Sequence, residues 1–311
     1  MNALLVIPLV LLLDRIFGEP ARFHPLVGYG KVANWLESKL NKGKNRFNKG
    51  MLAWLIAVIP LTLLVNIIDN ALGGLWLSLL FGWLAIGWQS LREHGLAVVQ
   101  ALTTGDLLKA RTKTSYLVSR DTRDLDEGAL SKATIESILE NGSDAIFAAL
   151  FWLAIFGAPG VVFYRLCNTL DAMWGYRNEQ FEQFGKVSAI IDDGLNFIPA
   201  RLTALLYVIF GDSKMAWQAW HTQAKTWYSP NAGVVMASGA GALNISLGGN
   251  AIYHGKEKQR PTLGNNGNKQ KLGANTIKRA IELLEKSTYA IITVCISLLL
   301  LGSIALGIMI G

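Results

Sequence analysis

Between Glu136 and Arg201, carboxylates and amides crowd against long apolar runs, in the blocks ESILENGSD (136–144), NTLDAMWGY (168–176) and DDGLNFIPARL (192–202). Charge beside lipid-facing sequence is expensive, so such groups are candidates for function. Glu136, Glu140 and Asp144 recur at four-residue spacing and form one stripe in a continuous helix, weakened if Asn141-Gly142 breaks it. Like charges on one stripe repel unless a cation or a base sits among them. One reading is a Mg²⁺ site, because Mg²⁺ takes one or two carboxylates together with phosphate oxygens and water; the other is a solvated face. Asn168 and Asp171 share a helical face, and Asp192, Asp193, Asn196 and Arg201 follow, with Pro199 expected to stop a regular helix. Carboxylates that hold a cation and an arginine that forks onto phosphate would suit a nucleotide. The alternative is a buried polar network that joins helices without chemistry.

Three further blocks are rich in turn formers. DRIFGEPARFHPLVGYGK (14–31) places Asp14, Glu19 and His24 in a loop after an apolar run, as a metal- or substrate-binding loop or as a helix exit meeting headgroups and water. SRDT (119–122) reads as a helix start at Asp121-Thr122. YSPNAG (228–233) is a tight turn at Ser229-Pro230-Asn231, followed by Gly239, Gly241, Gly248 and Gly249, which suit close helix packing better than ligand contact. His24, His94, His221 and His254 are scattered, Cys167 and Cys295 lie far apart, and no Walker A, GxSxG or HExxH sequence is present.

The elements that position these groups are those of an all-α, polytopic membrane helical protein with cytoplasmic helical segments and polar loops. Of 311 residues, 51% are hydrophobic and 16% charged, well under the quarter usual for soluble domains. Residues 51–68, 71–91 and 288–310 are apolar and long enough to span a bilayer. Residues 1–13, 145–164 (interrupted by Gly157-Ala-Pro-Gly160) and 195–210 are spans or half-helices. The run 1–13 has neither a basic region before it nor a small-residue cleavage site after it, so a retained short helix is expected. Lysine and arginine concentrate in 31–50, 92–144 and 254–287, which places these segments in the cytoplasm. Segment 165–196 is expected on the same side, its polar groups matching those at 120–144. Thr103-Thr104-Gly105-Asp106 should break one helix and cap the next, and 256–275 reads as a flexible polar loop. The whole of 1–311 reads as a single membrane domain. The net charge of +7 speaks for topology and not for nucleic acid, since no basic–aromatic interleaving accompanies it.

Taken in order, D(x)3GEP(x)3HP at 14–25, SRDT at 119–122, the Glu-Asn block at 136–144, NTLD(x)3GY at 168–176, DD(x)2N(x)2PARL at 192–202, and SPNAG with the later LGG and YxG resemble the CbiB/CobD family of adenosylcobinamide-phosphate synthases. The resemblance runs from about Asp14 to Tyr253. Any one block is weak; six in order are specific. The chain departs from the family where ENTxD(x)4PLF is usual: Gly142 replaces the Thr and Ala149 the Pro, while Glu140, Asn141 and Asp144 keep their places.

The resemblance implies an ATP-dependent ligase of cobalamin biosynthesis, in the bacterial inner membrane with a cytoplasmic active site. It would join adenosylcobyric acid to aminopropanol or its O-phosphate through an amide, with Mg²⁺ and ATP. On that footing Glu140, Asp144, Asp192 and Asp193 hold Mg²⁺, and Arg120 and Arg201 contact phosphate beside Asp121 and Thr122. Asn168, Asp171, Asn196, Ser229 and Asn231 orient substrate, and Glu19 or His24 handles the amine proton. The lipid bilayer is an expected partner, nucleic acid is not, and a homo-oligomer is left open. The main rival is a non-catalytic regulatory membrane protein like the AmpE proteins, in which these blocks should be eroded. A transporter would want carboxylates in mid-span, and 51–68, 71–91 and 288–310 carry none.

Overall fold

The computed structural model describes residues 3–20, 24–253, 256–265, 267 and 271–310. His254 and Gly255 of the YxG element lie outside the described residues. Along the chain run α1 (Ala3–Phe17), α2 (Pro25–Leu40), α3 (Arg46–Leu72), α4 (Leu75–Ala85), α5 (Trp88–Thr103), α6 (Leu107–Ser115) and α7 (Glu127–Gly142). A π-helical segment, Ser143–Ala148, leads into α8 (Ala149–Trp174), followed by α9 (Lys186–Phe210), α10 (Ser213–Gln223) and α11 (Ala232–Ala242). Short strands β1 (Ser246–Gly248), β2 (Ala251–Tyr253), β3 (Lys256–Lys258) and β4 (Thr262–Gly264) precede the long α12 (Ala274–Ile310). Helix is 78% of the structure, so the all-α class holds. Among the described residues, Arg46–Leu72, Glu127–Trp174, Lys186–Phe210 and Ala274–Ile304 are long and apolar enough to cross a membrane.

Several elements differ from the sequence reading for local reasons. The run 71–91 is not one helix: Gly73 (φ +83°) and Gly74 (φ +77°) turn the chain before α4, and Ile86 is extended after it. At about 1.5 Å per residue, α4 alone is too short to span. The 145–164 run belongs to the longer α8, bent at Gly157 (φ +65°, ψ −147°) just before Pro159. There Ala158 N donates to Ser78 Oγ at 3.1 Å, replacing the helical bond lost at the bend. Pro199 does not stop α9, which continues to Phe210 with Thr203 Oγ1 donating to the Pro199 carbonyl at 2.9 Å. The 256–275 segment is not wholly a loop, because β3 pairs with β2 and β4 pairs antiparallel with β1. The helix predicted at Asp121 begins instead at Glu127, where Asp126 accepts from Ala129 N at 2.7 Å.

Where the sequence reads as a single domain, contacts divide the chain into two compact units with interleaved segments. The first holds residues 1–87, 148–196 and 292–311. In it α8 packs against α1, α2, α3 and α4, around Tyr29, Leu36, Trp54, Leu170, Trp174 and Phe184. Because lipid tails are as apolar as leucine, close approach and not water exclusion holds such helices. A Cβ at Gly82 would lie 2.8 Å from Val10 Cγ2 and 2.9 Å from Leu153 Cδ2, and Gly50 lies against the Phe184 carbonyl.

The second unit holds residues 88–147 and 197–291. Here α11 is buried from Gly233 to Ala242 against α10, α7 and β4. Gly239 admits Leu139, and Gly241 admits the Met215 carbonyl. Gly142 has a packing reason too: a Cβ there would lie 2.6 Å from Leu284 Cδ1 and 3.0 Å from Tyr207 Oη.

Candidate functional site

In the second unit the SRDT block forms a loop tied to its surroundings at several points. Thr122 Oγ1 donates to the Arg111 carbonyl at 3.1 Å, Arg111 Nε donates to the Leu125 carbonyl at 3.0 Å, and Ser137 Oγ donates to the Leu117 carbonyl at 2.9 Å. These bonds pin the loop to α6 and α7 and give the loop carbonyls of Leu117 and Leu125 their donors. The pinned loop and α6 enclose a cleft of about 580 Å³ lined by Arg111, Arg120 and Arg123 together with Thr112, Ser115, Ser119 and Thr122. Guanidinium forks and hydroxyl donors around one concavity suit a phosphate-bearing ligand. Asp121 also lines the cleft, and its carboxylate accepts from Arg123 Nε at 3.0 Å. The Arg123 hydrogen bonds hold its carboxyl down to about 2.

Arg120 is positioned by Glu136, to which its Nη2 donates. Glu136 is 2% exposed. It also accepts from Arg260 Nη1 and Nη2, each at 3.0 Å, and from Gly248 N at 2.9 Å. Gly248 adopts φ +80°, and a Cβ there would meet the Pro261 carbonyl at 2.0 Å. Arg260 Nε donates to the Gly249 carbonyl at 3.1 Å, and its guanidinium stands over Trp227. Glu140, one turn on from Glu136, lies within electrostatic reach of Arg120 and Arg260. The helix does not break at Asn141-Gly142. Asn141 Nδ2 bonds back to Ser137, and the π segment Ser143–Ala148 follows. Asp144 lies in this π segment, directly after Ser143, whose N–H still bonds back to the Glu140 and Leu139 carbonyls.

Elsewhere in this unit Arg201 Nη1 donates to Asn231 Oδ1 at 2.9 Å, and its guanidinium stacks 3.6 Å from the Phe197 ring. Ser229 Oγ accepts from Asn231 N and Ala232 N, each at 3.3 Å, which makes the SPNAG turn the start of α11. Arg201, Ser229 and Asn231 are therefore brought together, with Asn231 buried.

The first unit gathers a separate polar network. Asp192, 8% exposed, accepts from Asn168 Nδ2 at 3.2 Å and from Asn196 Nδ2 at 2.9 Å, and Tyr164 Oη donates to Asn196 Oδ1 at 3.0 Å. Asn168 Oδ1 in turn accepts from Arg165 Nη1 at 3.4 Å. Asp193 adjoins on α9, and the Asp171 carbonyl caps α8 by accepting from Gly175 N at 2.7 Å. Glu19 is exposed in a bend after α1. His24 is the N-cap of α2, its Nδ1 accepting from Leu26 N at 3.2 Å. In the neutral imidazole an accepting Nδ1 leaves the proton on Nε2, so that edge is a donor and not a base.

Among the described residues no group of three or more His, Cys, Asp or Glu side chains is gathered closely enough to hold a metal ion. A Mg²⁺ that arrives on phosphate oxygens and needs one or two carboxylates remains compatible with this arrangement.

Sequence reasoning missed Arg111 and Arg260, and it took Glu136 as one carboxylate of a stripe. Arg260 sat in a stretch whose Gly, Asn and Lys content reads as solvent-exposed, and its partner is far away in the chain. The local signal was Arg260-Pro261 ahead of the short run Thr262-Leu263-Gly264.

A model of the CobD/Cbib protein family matches residues 7–284. The chain belongs to the CobD/CbiB family. A protein called "Cobalamin biosynthesis protein CobD" from Stutzerimonas stutzeri is 52% identical over 277 residues, covering 88% of this chain and 90% of its own. A protein with the same description from Chromobacterium violaceum is 50% identical over 272 residues, covering 85% and 87%. A "Probable cobalamin biosynthesis protein CobD" from Pyrococcus furiosus is 43% identical over 217 residues, covering 68% and 74%. No solved structure matches the chain.

Proposed function

We propose that this CobD/CbiB member acts in cobalamin biosynthesis as an ATP-dependent amide ligase, adenosylcobinamide-phosphate synthase. Its substrates would be adenosylcobyric acid and aminopropanol or aminopropanol O-phosphate. The observation that carries the reading is the arginine- and hydroxyl-lined cleft at Ser119–Arg123, whose donors suit phosphate oxygens.

A carboxylate does not condense with an amine in water unaided. ATP would transfer its γ-phosphoryl to the propionate carboxylate, giving an acyl phosphate and ADP. The amine nitrogen then attacks the acyl carbon, the C–O bond to phosphate breaks, and inorganic phosphate and a proton leave. No protein nucleophile is needed, only charge neutralisation and positioning. Arg111, Arg120 and Arg123 would hold phosphate, with Glu136 and Arg260 fixing Arg120. Mg²⁺, bound as the nucleotide complex, would neutralise phosphate charge, with Glu140, Asp144, Asp192 or Asp193 supplying one or two carboxylates. Arg201, Ser229 and Asn231, gathered in the second unit, would orient substrate. Since His24 Nε2 is a donor, the amine proton would pass to Glu19. The active site would face the cytoplasm at the inner membrane, where ATP is available.

The reading is tested by rescue. A cobinamide-requiring host that lacks its own synthase should grow when given this chain, and should fail with Asp192→Ala or Asp193→Ala at equal membrane levels. An AmpE-like regulator would not restore growth in any form.

A further inference from the structure

Within the first unit α2, α3, α4 and α8 enclose a cavity of about 430 Å³. Its wall is aliphatic and aromatic, including Leu64, Val65, Phe81 and Val161. Among the described residues, the polar side chains that line it are those of His24, Tyr29 and Arg165. Among the described residues, each of these carries a buried atom with no hydrogen-bond partner: His24 Nε2, Tyr29 Oη and Arg165 Nε. Tyr29 is 6% exposed, and burial pushes its hydroxyl far above the ordinary tyrosine range, so it stays an O–H donor. His24 Nε2 is a donor because Nδ1 already accepts from Leu26 N. Arg165 is held by Asn168 through Nη1, while both Asp192 oxygens are taken by amides. Its Nε edge is left for another acceptor.

A buried donor without an acceptor costs free energy, and this cavity presents several with one fixed positive charge among them. The missing partner is an acceptor, and an anionic one satisfies them best. The aliphatic wall calls for an apolar body on the same ligand. Leu61, Leu64, Val65 and Ile68 come from α3, one of the helices long enough to cross a membrane, only 28% of whose apolar window is buried. At that depth the surrounding medium supplies acyl chains and not water.

We propose that this cavity is a specific site for one anionic phospholipid. Its acyl chain lies against Leu64, Val65, Phe81 and Val161, and its phosphate accepts from His24, Tyr29 and Arg165. The proposal is independent of the ligase reading.

The test uses the full-length chain, purified in detergent, delipidated, and incubated with phosphatidylglycerol, phosphatidylcholine or inorganic phosphate before native mass spectrometry. Wild type should retain one phosphatidylglycerol and discriminate against phosphatidylcholine. Tyr29→Phe, which keeps the ring and its packing, and Arg165→Gln should each weaken phosphatidylglycerol retention about tenfold. Val65→Trp, which fills the chain-binding part, should abolish it while the protein still elutes as a folded species. Equal retention of both lipids, retention unchanged in both polar variants, or competition by phosphate alone at equal concentration would each overturn the proposal.

Discussion

Glu136→Gln isolates the charge that organises the arginines of the second unit. Glu136 is 2% exposed and accepts from Arg120, from Arg260 at 3.0 Å through both Nη atoms, and from Gly248 N at 2.9 Å. Glutamine keeps the shape, removes the negative charge, and turns one oxygen into a donor that faces guanidinium donors. Removing one partner of a buried ion pair costs about 3–5 kcal/mol, because the other charge is left uncompensated. At roughly 2–4 °C per kcal/mol for a domain of this size, the melting midpoint should fall by about 6–20 °C. The assay is thermal unfolding in detergent, followed by intrinsic tryptophan fluorescence. Glu282→Gln, on an exposed carboxylate, is the control and should stay within about 0.5 kcal/mol. A triple change of Arg120, Glu136 and Arg260 to methionine should recover much of the loss, since a buried ion cluster is often replaceable by apolar groups. If Glu136→Gln melts within about 2 °C of wild type, the idea that Glu136 anchors both arginines is refuted.

Other outcomes follow from the same geometry. Arg111→Ala and Arg123→Ala should each weaken ATP binding by about tenfold, measured by filter binding, because each removes a charge-assisted donor from the cleft. Gly142→Thr, which restores the residue usual in the family, should cost about 1–3 kcal/mol by overpacking Leu284 and Tyr207, and a second change, Leu284→Ala, should relieve it in a melting assay. The Asp121 carboxyl sits at about 2, below its ordinary 3.8. Its contact with Arg123 therefore contributes fully above pH 3.8 and is lost as pH falls through about 2. Carbon NMR of labelled Asp121 should titrate near 2, and Arg123→Gln should return it to the ordinary range.

How much of this could be read in advance depended on whether the cause was local. The run 51–68 lies inside α3, 288–310 inside α12, and Asp106 caps α6 as its Thr-Thr-Gly-Asp setting requires, accepting from Lys109 N at 2.9 Å. These follow from apolar length and from one side chain bonding its own helix. Apolar length misled at 71–91, where backbone conformation at Gly73 and Gly74 interrupts the helix. The missing N–H of Pro199 predicts a stop, yet α9 runs through it, with Thr203 Oγ1 donating to the Pro199 carbonyl. The Asp192–Asn196 pair was legible because one helical turn separates its members. Arg260 on Glu136 was not, because the pairing joins a strand connection to a helix far away in sequence and no periodicity records it. Gly142 looked like a helix breaker and proved to be a packing residue, a distinction that only Leu284 and Tyr207 could make.

The ligase account can be tested by following one oxygen atom. Purified protein in detergent is given ATP, Mg²⁺, aminopropanol or its O-phosphate, and adenosylcobyric acid labelled with ¹⁸O in the propionate carboxylate. Formation of the amide with ADP release and ¹⁸O in inorganic phosphate is the predicted result. Amide formation with the label in AMP, or no amide from a folded and ATP-binding protein, would contradict it.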